Sequence, residues 1–429
     1  MDGQYEKTVL PNGLRVFLEQ DDTLRSAAIC LYICSGSRHE TKLEQGAAHY
    51  LEHILFRGTE NRSGEEIERL IDRFGGTINA QTSREYITVE GRVLTSHAAD
   101  ALELICDMVC RPTVLEKDVE SERGVILEEI AMCADDSDEV IWDMMYENVW
   151  KGNQIAEKIT GERKAVEKMT AQTLRSFISK RFVPTNIMVS VVGCFDRDAI
   201  MNVIESSLGK MPKAGSRRAK KAEYTPSFDA LQWTLEQNHM LLAFPAYAMS
   251  DDRRLAQRLL EEICGEGYSS RLYRRLRDEL GLIYDEGCSG TVHEHEGLFT
   301  VEFSCSEKNC DMALNEAAKV LYAIAENGVT EDELTLARDK MTAAAVMSEE
   351  RSEVRAFGYL SDEQWYHAPV SLDKYLERLN AVTVQQVNEA ARDIINFSNA
   401  SLFVVGEVRD ENHYRAIIEN ARLGEEING

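Results

Sequence analysis

The sequence predicts an α+β protein of two related halves, each an antiparallel sheet packed by helices. The first observation behind this prediction is length, because 429 residues suffice for two or more domains with separate cores. The second is an internal repeat: segments beginning at Thr170 and Asn186 recur at Thr383 and Asn399, with a constant offset of 213 positions. A constant offset over a helix and the strand after it indicates duplication of a unit of about 200 residues.

The chain between the two copies is polar and basic from Lys210 to Glu223, a composition that is typical of a linker. We therefore predict three regions along the chain. They are an N-terminal domain over residues 1–212, a linker over residues 213–227 and a C-terminal domain over residues 228–429.

The elements of the first half follow from turn residues and hydrophobic periodicity. The Asn12-Gly13 turn predicts a hairpin near the start of the chain. Ser63 and Glu66 form a capping box that opens a helix, and Gly75 ends it. The further predicted strands are residues 26–34, 77–82, 86–93 and 186–193, and the predicted helices are residues 45–56, 63–74, 97–110, 116–133, 139–149 and 171–182.

Charge and composition exclude several classes of function. The net charge of −26 argues against nucleic-acid binding, because phosphates would be repelled, and it is compatible with basic or neutral peptides. No run of eighteen apolar residues is present, which argues against a membrane span. The N-terminus has no secretory pattern, and most of the ten cysteines lie in apolar runs without a Cys-x-x-Cys pair. These features predict a cytoplasmic protein with reduced cysteines.

The segment from His49 to His53 carries the strongest chemical signal in the chain. Residues four apart share a helix face, so the two imidazoles point the same way and can supply two of the three protein ligands of a catalytic zinc. Glu52 borders that face without ligating the metal, which suits a general base acting on water. This order, His-x-x-Glu-His, is the zincin motif in reverse. The alternative is a core helix with a polar rim.

A third ligand is available in the predicted helix over residues 116–133. Glu122 and Glu129 are seven positions apart and therefore share one face of a helix. Glu129 would be the carboxylate ligand, and Glu122 an outer partner that orients a ligand. Spacing alone leaves Glu128 open, although it is rotated by about 100° and loses the alignment with Glu122.

Three segments together resemble the pitrilysin/insulinase family of zinc peptidases, to which mitochondrial processing peptidase belongs. They are Gly46-Ala-Ala-His-Tyr-Leu-Glu-His-Ile-Leu-Phe-Arg-Gly-Thr59, Gly75-Gly-Thr-Ile-Asn-Ala-Gln-Thr82 and Glu122-Arg-Gly-Val-Ile-Leu-Glu-Glu-Ile130. Their order and spacing fit the family pattern. The resemblance implies His49, His53 and Glu129 as Zn²⁺ ligands, Glu52 as the base and Glu122 as a supporting carboxylate.

The resemblance also implies residues that contact substrate. The strand at residues 77–82 would lie at a sheet edge beside the metal, where a peptide adds as an extra strand. The residues expected to bind substrate there are Asn79, Ala80, Gln81 and Thr82; an ordinary edge strand is the alternative. In the second half, Arg277 and Tyr284 best match the family's substrate-holding arginine and tyrosine. Arg271, Arg274 and Arg275 remain alternatives for the arginine.

These observations predict a zinc-dependent endopeptidase that hydrolyses peptides or small unfolded polypeptides inside a chamber. The alternative is a non-catalytic or regulatory subunit of a heterodimeric processing peptidase. The second half carries no copy of the metal motif, so the N-terminal domain would be the catalytic one. Longer relatives join four such units, so this chain resembles half of that clam shell. We expect a homodimer, or a heterodimer with a related subunit, and neither a nucleic-acid nor a membrane partner.

Overall fold

The computed structural model describes residues 5–215 and 219–423. The strands are β1 Tyr5–Val9, β2 Arg15–Gln20, β3 Ser26–Ile33, β4 Thr77–Thr82, β5 Ile87–Leu94, β6 Ile187–Gly193, β7 Phe228–Gln232, β8 Asn238–Ala246, β9 Glu286–Val292, β10 Gly297–Cys305 and β11 Ser401–Gly406. The helices are α1 Ala47–Ile54, α2 Gly64–Phe74, α3 Ala98–Cys110, α4 Glu116–Ala134, α5 Ser137–Val149, α6 Arg163–Val166, α7 Ala171–Arg181, α8 Arg197–Ser206, α9 Arg254–Gly265, α10 Cys310–Asn327, α11 Glu331–Glu349, α12 Ser352–Tyr366, α13 Leu372–Ala381, α14 Val384–Ile394 and α15 Glu411–Leu423.

The chain forms two compact units, and each takes one helix from the other half of the sequence. The first unit contains the residues up to Met132 together with Glu157–Lys220 and Ala345–Asp373, and the second contains Cys133–Ala156, Lys221–Ala344 and the residues from Lys374. Helix α5 therefore belongs to the second unit and α12 to the first. The predicted sequence domains, residues 1–212 and 228–429 with a linker over residues 213–227, stay a prediction.

The sheet of the first unit has the strand order β1-β2-β6-β3-β5-β4. Only β2 and β6 run parallel; the other neighbours are antiparallel. The interior strand β3 is a continuous apolar run because both of its faces are covered. Ile29 packs into the main helical core, while Cys30 packs with Ala356 and Leu360 of α12 on the opposite face. Strand β4 pairs with β5 alone and forms one edge of the sheet.

The sheet of the second unit has the order β7-β11-β8-β10-β9, with β7 and β11 parallel. Leu241 and Phe403 pack against Ile141 of α5 on one face. Leu242 and Val404 lie in the core on the other face, together with apolar residues of α9, α10 and α14. Both faces of this sheet are therefore covered, as in the first unit.

The structure confirms the predicted fold class, an α+β protein of two related halves packed by helices. The central strands occupy the same order in both sheets, with β7-β11-β8-β10-β9 matching β2-β6-β3-β5-β4. Helices α7 and α14 run over residues 171–181 and 384–394, an offset of 213 at both ends. Each begins after a threonine, Thr170 or Thr383, that caps it.

Two details differ from the sequence-based prediction. Each sheet is mixed rather than wholly antiparallel, because β2 pairs with β6 and β7 pairs with β11 in a parallel direction across a long stretch of intervening chain. The first hairpin is present, but a five-residue connection joins Val9 to Arg15 in place of a two-residue Asn-Gly turn. Among the described residues, no helix combines the length and the apolarity that crossing a membrane requires.

Candidate metal centre

The N-terminus of helix α1 is held in place by a close backbone contact and by a capping side chain. Its N-cap residue, Gly46, has a φ of +82°, a backbone conformation that favours glycine. A Cβ at this position would lie 2.8 Å from the carbonyl oxygen of Thr160. The buried carboxylate of Glu40 accepts hydrogen bonds from the backbone N–H groups of Gly46 at 2.8 Å and Ala48 at 2.7 Å. The side chain of Glu40, six positions before Gly46, therefore caps the helix that carries His49 and holds its first turn in place.

Helix α4 packs against α1 through a stripe of residues at helical spacing. Val119, Glu122 and Ile126 are buried, and Glu129 continues the same stripe one turn further on. The hydroxyl of Tyr50 donates a hydrogen bond to the carbonyl oxygen of Val119. This bond joins α1, one residue after His49, to the helix that carries the two carboxylates.

The structure brings the three predicted ligands together. Nε2 of His49 lies 3.4 Å from Oε1 of Glu129, and Nε2 of His53 lies 3.5 Å from Oε2 of the same carboxylate. One ligand atom of each residue lies within 4.8 Å of the other two, and this trio forms the one such metal-binding group found within residues 5–215 and 219–423.

These distances fit the chemistry of zinc. Ligand atoms about 2.0–2.2 Å from a tetrahedral zinc lie about 3.3–3.6 Å from one another. The distance from His49 to Oε1 of Glu129, 3.4 Å, and that from His53 to the other carboxylate oxygen, 3.5 Å, both fall in that interval and exceed the usual length of an N–H···O hydrogen bond, about 2.7–3.2 Å. Two imidazoles and one carboxylate are also the donor set of a catalytic site that keeps a fourth position open. The residues present therefore fit Zn²⁺.

The carboxylate of Glu129 is held in its anionic form. The close polar contact with the His49 imidazole lowers the pKa of Glu129 below its ordinary value, partial burial opposes this shift, and the nearby His53 adds to it. Glu128, the alternative left open by spacing, is exposed and turned away from the imidazoles. The geometry thus selects Glu129 from the two neighbouring carboxylates.

Glu122 forms an outer layer behind His53. Its side chain is 2% exposed, with Oε2 3.2 Å from Nδ1 of His53 and Oε1 2.6 Å from Nη2 of Arg57. A carboxylate at Nδ1 fixes the imidazole tautomer that leaves Nε2 free for a metal. By contrast, Nδ1 of His49 is buried and has no hydrogen-bond partner in the described part of the chain.

Glu52 lies on α1 between the two histidines and is partly buried. Across residues 5–215 and 219–423, its carboxylate makes no hydrogen bond or ion pair. A carboxylate at this position without a protein partner remains available to a water molecule, as a general base requires. Its catalytic role stays a prediction.

The predicted substrate-binding residues lie on edge strand β4 and alternate between its two faces. Ala80 and Thr82 are buried, whereas Asn79 and Gln81 are exposed. Oγ1 of Thr82 lies 3.5 Å from the carbonyl oxygen of Ala48, so the end of β4 adjoins the first turn of α1. The unpaired edge of β4 therefore lies close to the metal centre, and its use by substrate stays a prediction.

Arg277 and Tyr284 lie together in the second unit. The guanidinium carbon of Arg277 is 5.0 Å from the ring centroids of both Tyr273 and Tyr284, and Tyr284 is 73% exposed. Two of the alternative arginines already form ion pairs within this unit. Arg271 pairs with Glu333 at 2.7 Å, and Arg275 pairs with Glu316 at 2.7 Å. Arg274 is exposed. The roles of Arg277 and Tyr284 stay predictions.

Two residues that support the site, Glu40 and Arg57, were not predicted from the sequence. Glu40 caps α1 from a separate turn, and no local motif indicates this contact. Arg57 lies three positions beyond the end of α1, and no spacing in the sequence indicates that it pairs with Glu122.

Two family models and several relatives match this chain. The model described as insulinase (peptidase family M16) matches residues 15–163, and the one described as peptidase M16 inactive domain matches residues 168–341. An uncharacterized zinc protease of Streptomyces coelicolor is 32% identical over 421 residues, covering 95% of this chain and 91% of that protein. An uncharacterized zinc protease of Bacillus subtilis is 28% identical over 384 residues, covering 89% and 94%.

Two solved structures share the fold. A protease from Helicobacter pylori has a TM-score of 0.86 at 18% identity, covering 95% of this chain and 100% of that one. A Pseudomonas fluorescens protein described as peptidase M16 inactive domain has a TM-score of 0.88 at 18% identity, covering 95% and 98%. At this identity, these matches establish the fold alone.

Proposed function

Because this chain belongs to the insulinase family of peptidases, family M16, we propose that it is a zinc-dependent endopeptidase acting on peptides and small unfolded polypeptides. The observation that carries the proposal is the convergence of His49, His53 and Glu129 at distances that fit one zinc ion. Relatives named as zinc proteases support the same metal. The intact Glu52 beside this trio supports catalysis in addition to metal binding.

Each residue of the candidate site has a separate role in the proposed peptide hydrolysis. His49, His53 and Glu129 would hold Zn²⁺, which when bound polarises the scissile carbonyl and acidifies water. Glu52 takes a proton from the attacking water and returns it to the leaving amine. Glu122 orients His53, and Arg57 holds Glu122 in turn.

Edge strand β4 is the proposed binding surface for the peptide. Its backbone groups pair with β5 on one side only, so an extended peptide can hydrogen-bond along the other side. Recognition of this kind requires an extended backbone and makes few demands on sequence. Arg277 and Tyr284 of a second copy, or of a related subunit, would contact the same peptide; Tyr284 would stabilise the oxyanion by a hydrogen bond.

The proposed function is tested by replacing Glu52 with glutamine. Glu52→Gln keeps the shape of the side chain but removes the base, so peptide cleavage should fall to background while zinc remains bound at one ion per chain. Glu128→Gln, which removes an exposed carboxylate nearby, is the matched control and should cleave like wild type. Unchanged cleavage by Glu52→Gln, or a wild-type protein without zinc after extensive dialysis, would refute the proposal.

A second candidate is a non-catalytic or regulatory subunit of a heterodimeric processing peptidase. The match of residues 168–341 to a domain described as inactive favours it. A chain that is inactive alone but activates a related partner would support this candidate over the first. Size-exclusion chromatography with light scattering, followed by cleavage of a peptide length series, distinguishes a homodimer that is active by itself from such a subunit.

A further inference from the structure

An open cavity of about 580 Å³ lies beside edge strand β4 in the first unit. Helix α12 packs mainly on β3 and β6, and the cavity lies where β4 and β5 continue beyond this contact. Glu353 and Ala356 of α12 form one wall of the cavity, and Asn79 and Glu90 form part of its floor. The cavity therefore opens at the strand proposed to bind substrate.

Strand register shows which side chains face the cavity. Asn79 of β4 pairs with Glu90 of β5, and Glu90 pairs with Cys30 of β3, which packs against α12. Paired residues on adjacent strands point to the same face of a sheet. Asn79 and Glu90 thus lie side by side on the α12 face, with the exposed Asn79 nearer the edge.

Glu90 is a carboxylate without a partner. It is half-buried, and within the described residues it accepts no hydrogen bond and forms no ion pair. The nearby cation Arg92 is already engaged, because its guanidinium lies 2.9 Å from a carboxylate oxygen of Glu353 and 3.2 Å from the hydroxyl of Ser26. Burial, and next the charge of Glu353, raise the pKa of Glu90 above its ordinary value. A cation arriving from outside would relieve this unfavourable environment.

We propose that Glu90 forms the floor of a subsite that accepts a lysine or arginine side chain from a peptide bound along β4. The proposal rests on the proposed function and adds a preference in sequence to it. Side chains of an added strand alternate between the two faces, so every second one points toward the cavity. Strands lie about 4.8 Å apart, so Glu90 is about 9.6 Å from such a peptide, and only a long side chain passing over Asn79 reaches it.

The chemistry of the cavity favours a basic side chain over other candidates. An acidic side chain would meet the unpaired carboxylate of Glu90, because Arg92, the one cation among the described residues that line the cavity, is paired with Glu353, and a short apolar side chain would leave Glu90 unpaired. Lysine and arginine carry their charge on apolar stems, which match the backbone and Ala356 along the wall. The net charge of −26 attracts such peptides as a whole.

Cleavage of a matched peptide series tests the subsite. One parent peptide without basic residues receives a single lysine at each position in turn, with glutamine at the same position as the reference. Wild type should prefer lysine at one position by about five- to tenfold in kcat/KM, as expected for one charge-assisted contact at a half-buried site. Glu90→Gln should remove that preference and leave cleavage of the reference peptide unchanged.

Glu68→Gln is the matched control because it removes one negative charge from an exposed position on α2 in the same unit. It should keep the lysine preference. Because Glu90 has no partner, Glu90→Gln should also fold with an unchanged or higher melting temperature, so a lost preference cannot be attributed to unfolding. A lysine preference that survives in Glu90→Gln, or one that Glu68→Gln also loses, would overturn the proposal.

A binding measurement separates this proposal from the proposed function. Fluorescence anisotropy with Glu52→Gln as the background reports peptide binding without cleavage, and adding Glu90→Gln should weaken the lysine peptide about five- to tenfold but not the glutamine peptide. If wild type does not cleave the peptides, but Glu90→Gln still weakens binding of the lysine peptide in the Glu52→Gln background, the subsite stands and the proposed function fails. If cleavage depends on Glu52 but the lysine peptide binds both proteins equally, the subsite alone fails.

Discussion

Replacing Glu122 with glutamine should weaken zinc binding about tenfold without unfolding the protein. Glutamine retains the shape of the side chain and an oxygen that can accept from Nδ1 of His53, which lies 3.2 Å away. It loses the negative charge, and a hydrogen bond to a charged group contributes about 1–1.5 kcal/mol more than a neutral one. That difference corresponds to about five- to twelvefold in affinity, at the lower end of the 10–100-fold range typical of residues that support metal ligands.

The effect of this change on stability should be small. Arg57, the other partner of Glu122, has a side chain that is 43% exposed, so its guanidinium can turn to water when the carboxylate is removed. Glutamine also leaves no charge at the buried position of Glu122, so we expect the free energy of unfolding of the metal-free protein to change by no more than about 1 kcal/mol.

Competition with a chromogenic zinc chelator at fixed pH measures the affinity. Glu128→Gln on the same helix is exposed and should bind zinc like wild type, whereas Glu129→Gln removes a ligand and should lose far more than Glu122→Gln. Wild-type affinity in Glu122→Gln, or an equal loss in Glu128→Gln, would refute the assignment of Glu122 behind His53.

Two further predictions concern stability and are read from urea unfolding. Gly46→Ala should destabilise the protein by about 2–4 kcal/mol, because φ is +82° and the new Cβ would lie 2.8 Å from the carbonyl oxygen of Thr160. Gly75→Ala is the control, since its φ of +62° is similar but the space around it is open, and it should cost only about 1 kcal/mol. Equal losses of stability in the two variants would contradict a steric clash at Gly46. The hydrogen bond from Arg271 lowers the pKa of Glu333 from 4.5 to about 2, so the stabilisation is complete above about pH 4.5 and is lost as pH falls toward 2. The stability advantage of wild type over Glu333→Gln should shrink across that window, and a constant advantage would exclude this ion pair as its source.

Local spacing was sufficient for the parts of the site that lie on single helices. His49, Glu52 and His53 lie on one helix, and the seven-residue interval predicted that Glu129, rather than Glu128, shares a face with Glu122, because two helical turns return a side chain to nearly the same face. The capping box at Ser63 and the repeated helix starting after Thr170 and Thr383 were equally local. Such features depend on neighbours that the sequence itself specifies.

Contacts between distant segments could not be predicted in this way. The Glu40 carboxylate reaches the N–H groups of Gly46 and Ala48 because a short turn folds back over α1, and spacing does not encode that path. The isolation of Glu90 is also a tertiary property, since it arises because Arg92 pairs with Glu353 on a helix 261 positions away in sequence. The fold and the spacing of the candidate ligands were thus accessible from pattern, whereas the contacts of Glu40 and the isolation of Glu90 depend on tertiary structure.

The exchange of α5 and α12 has a consequence for how the protein matures. Tyr32 and Met188 in the first sheet are buried in the cluster completed by α12, which begins at Ser352, long after β6 ends at Gly193. During synthesis, this sheet must emerge with one apolar face open to water until the later helix arrives. The N-terminal half therefore cannot finish folding by itself on the ribosome, and a chain cut between the halves would leave each fragment with a bare, aggregation-prone surface.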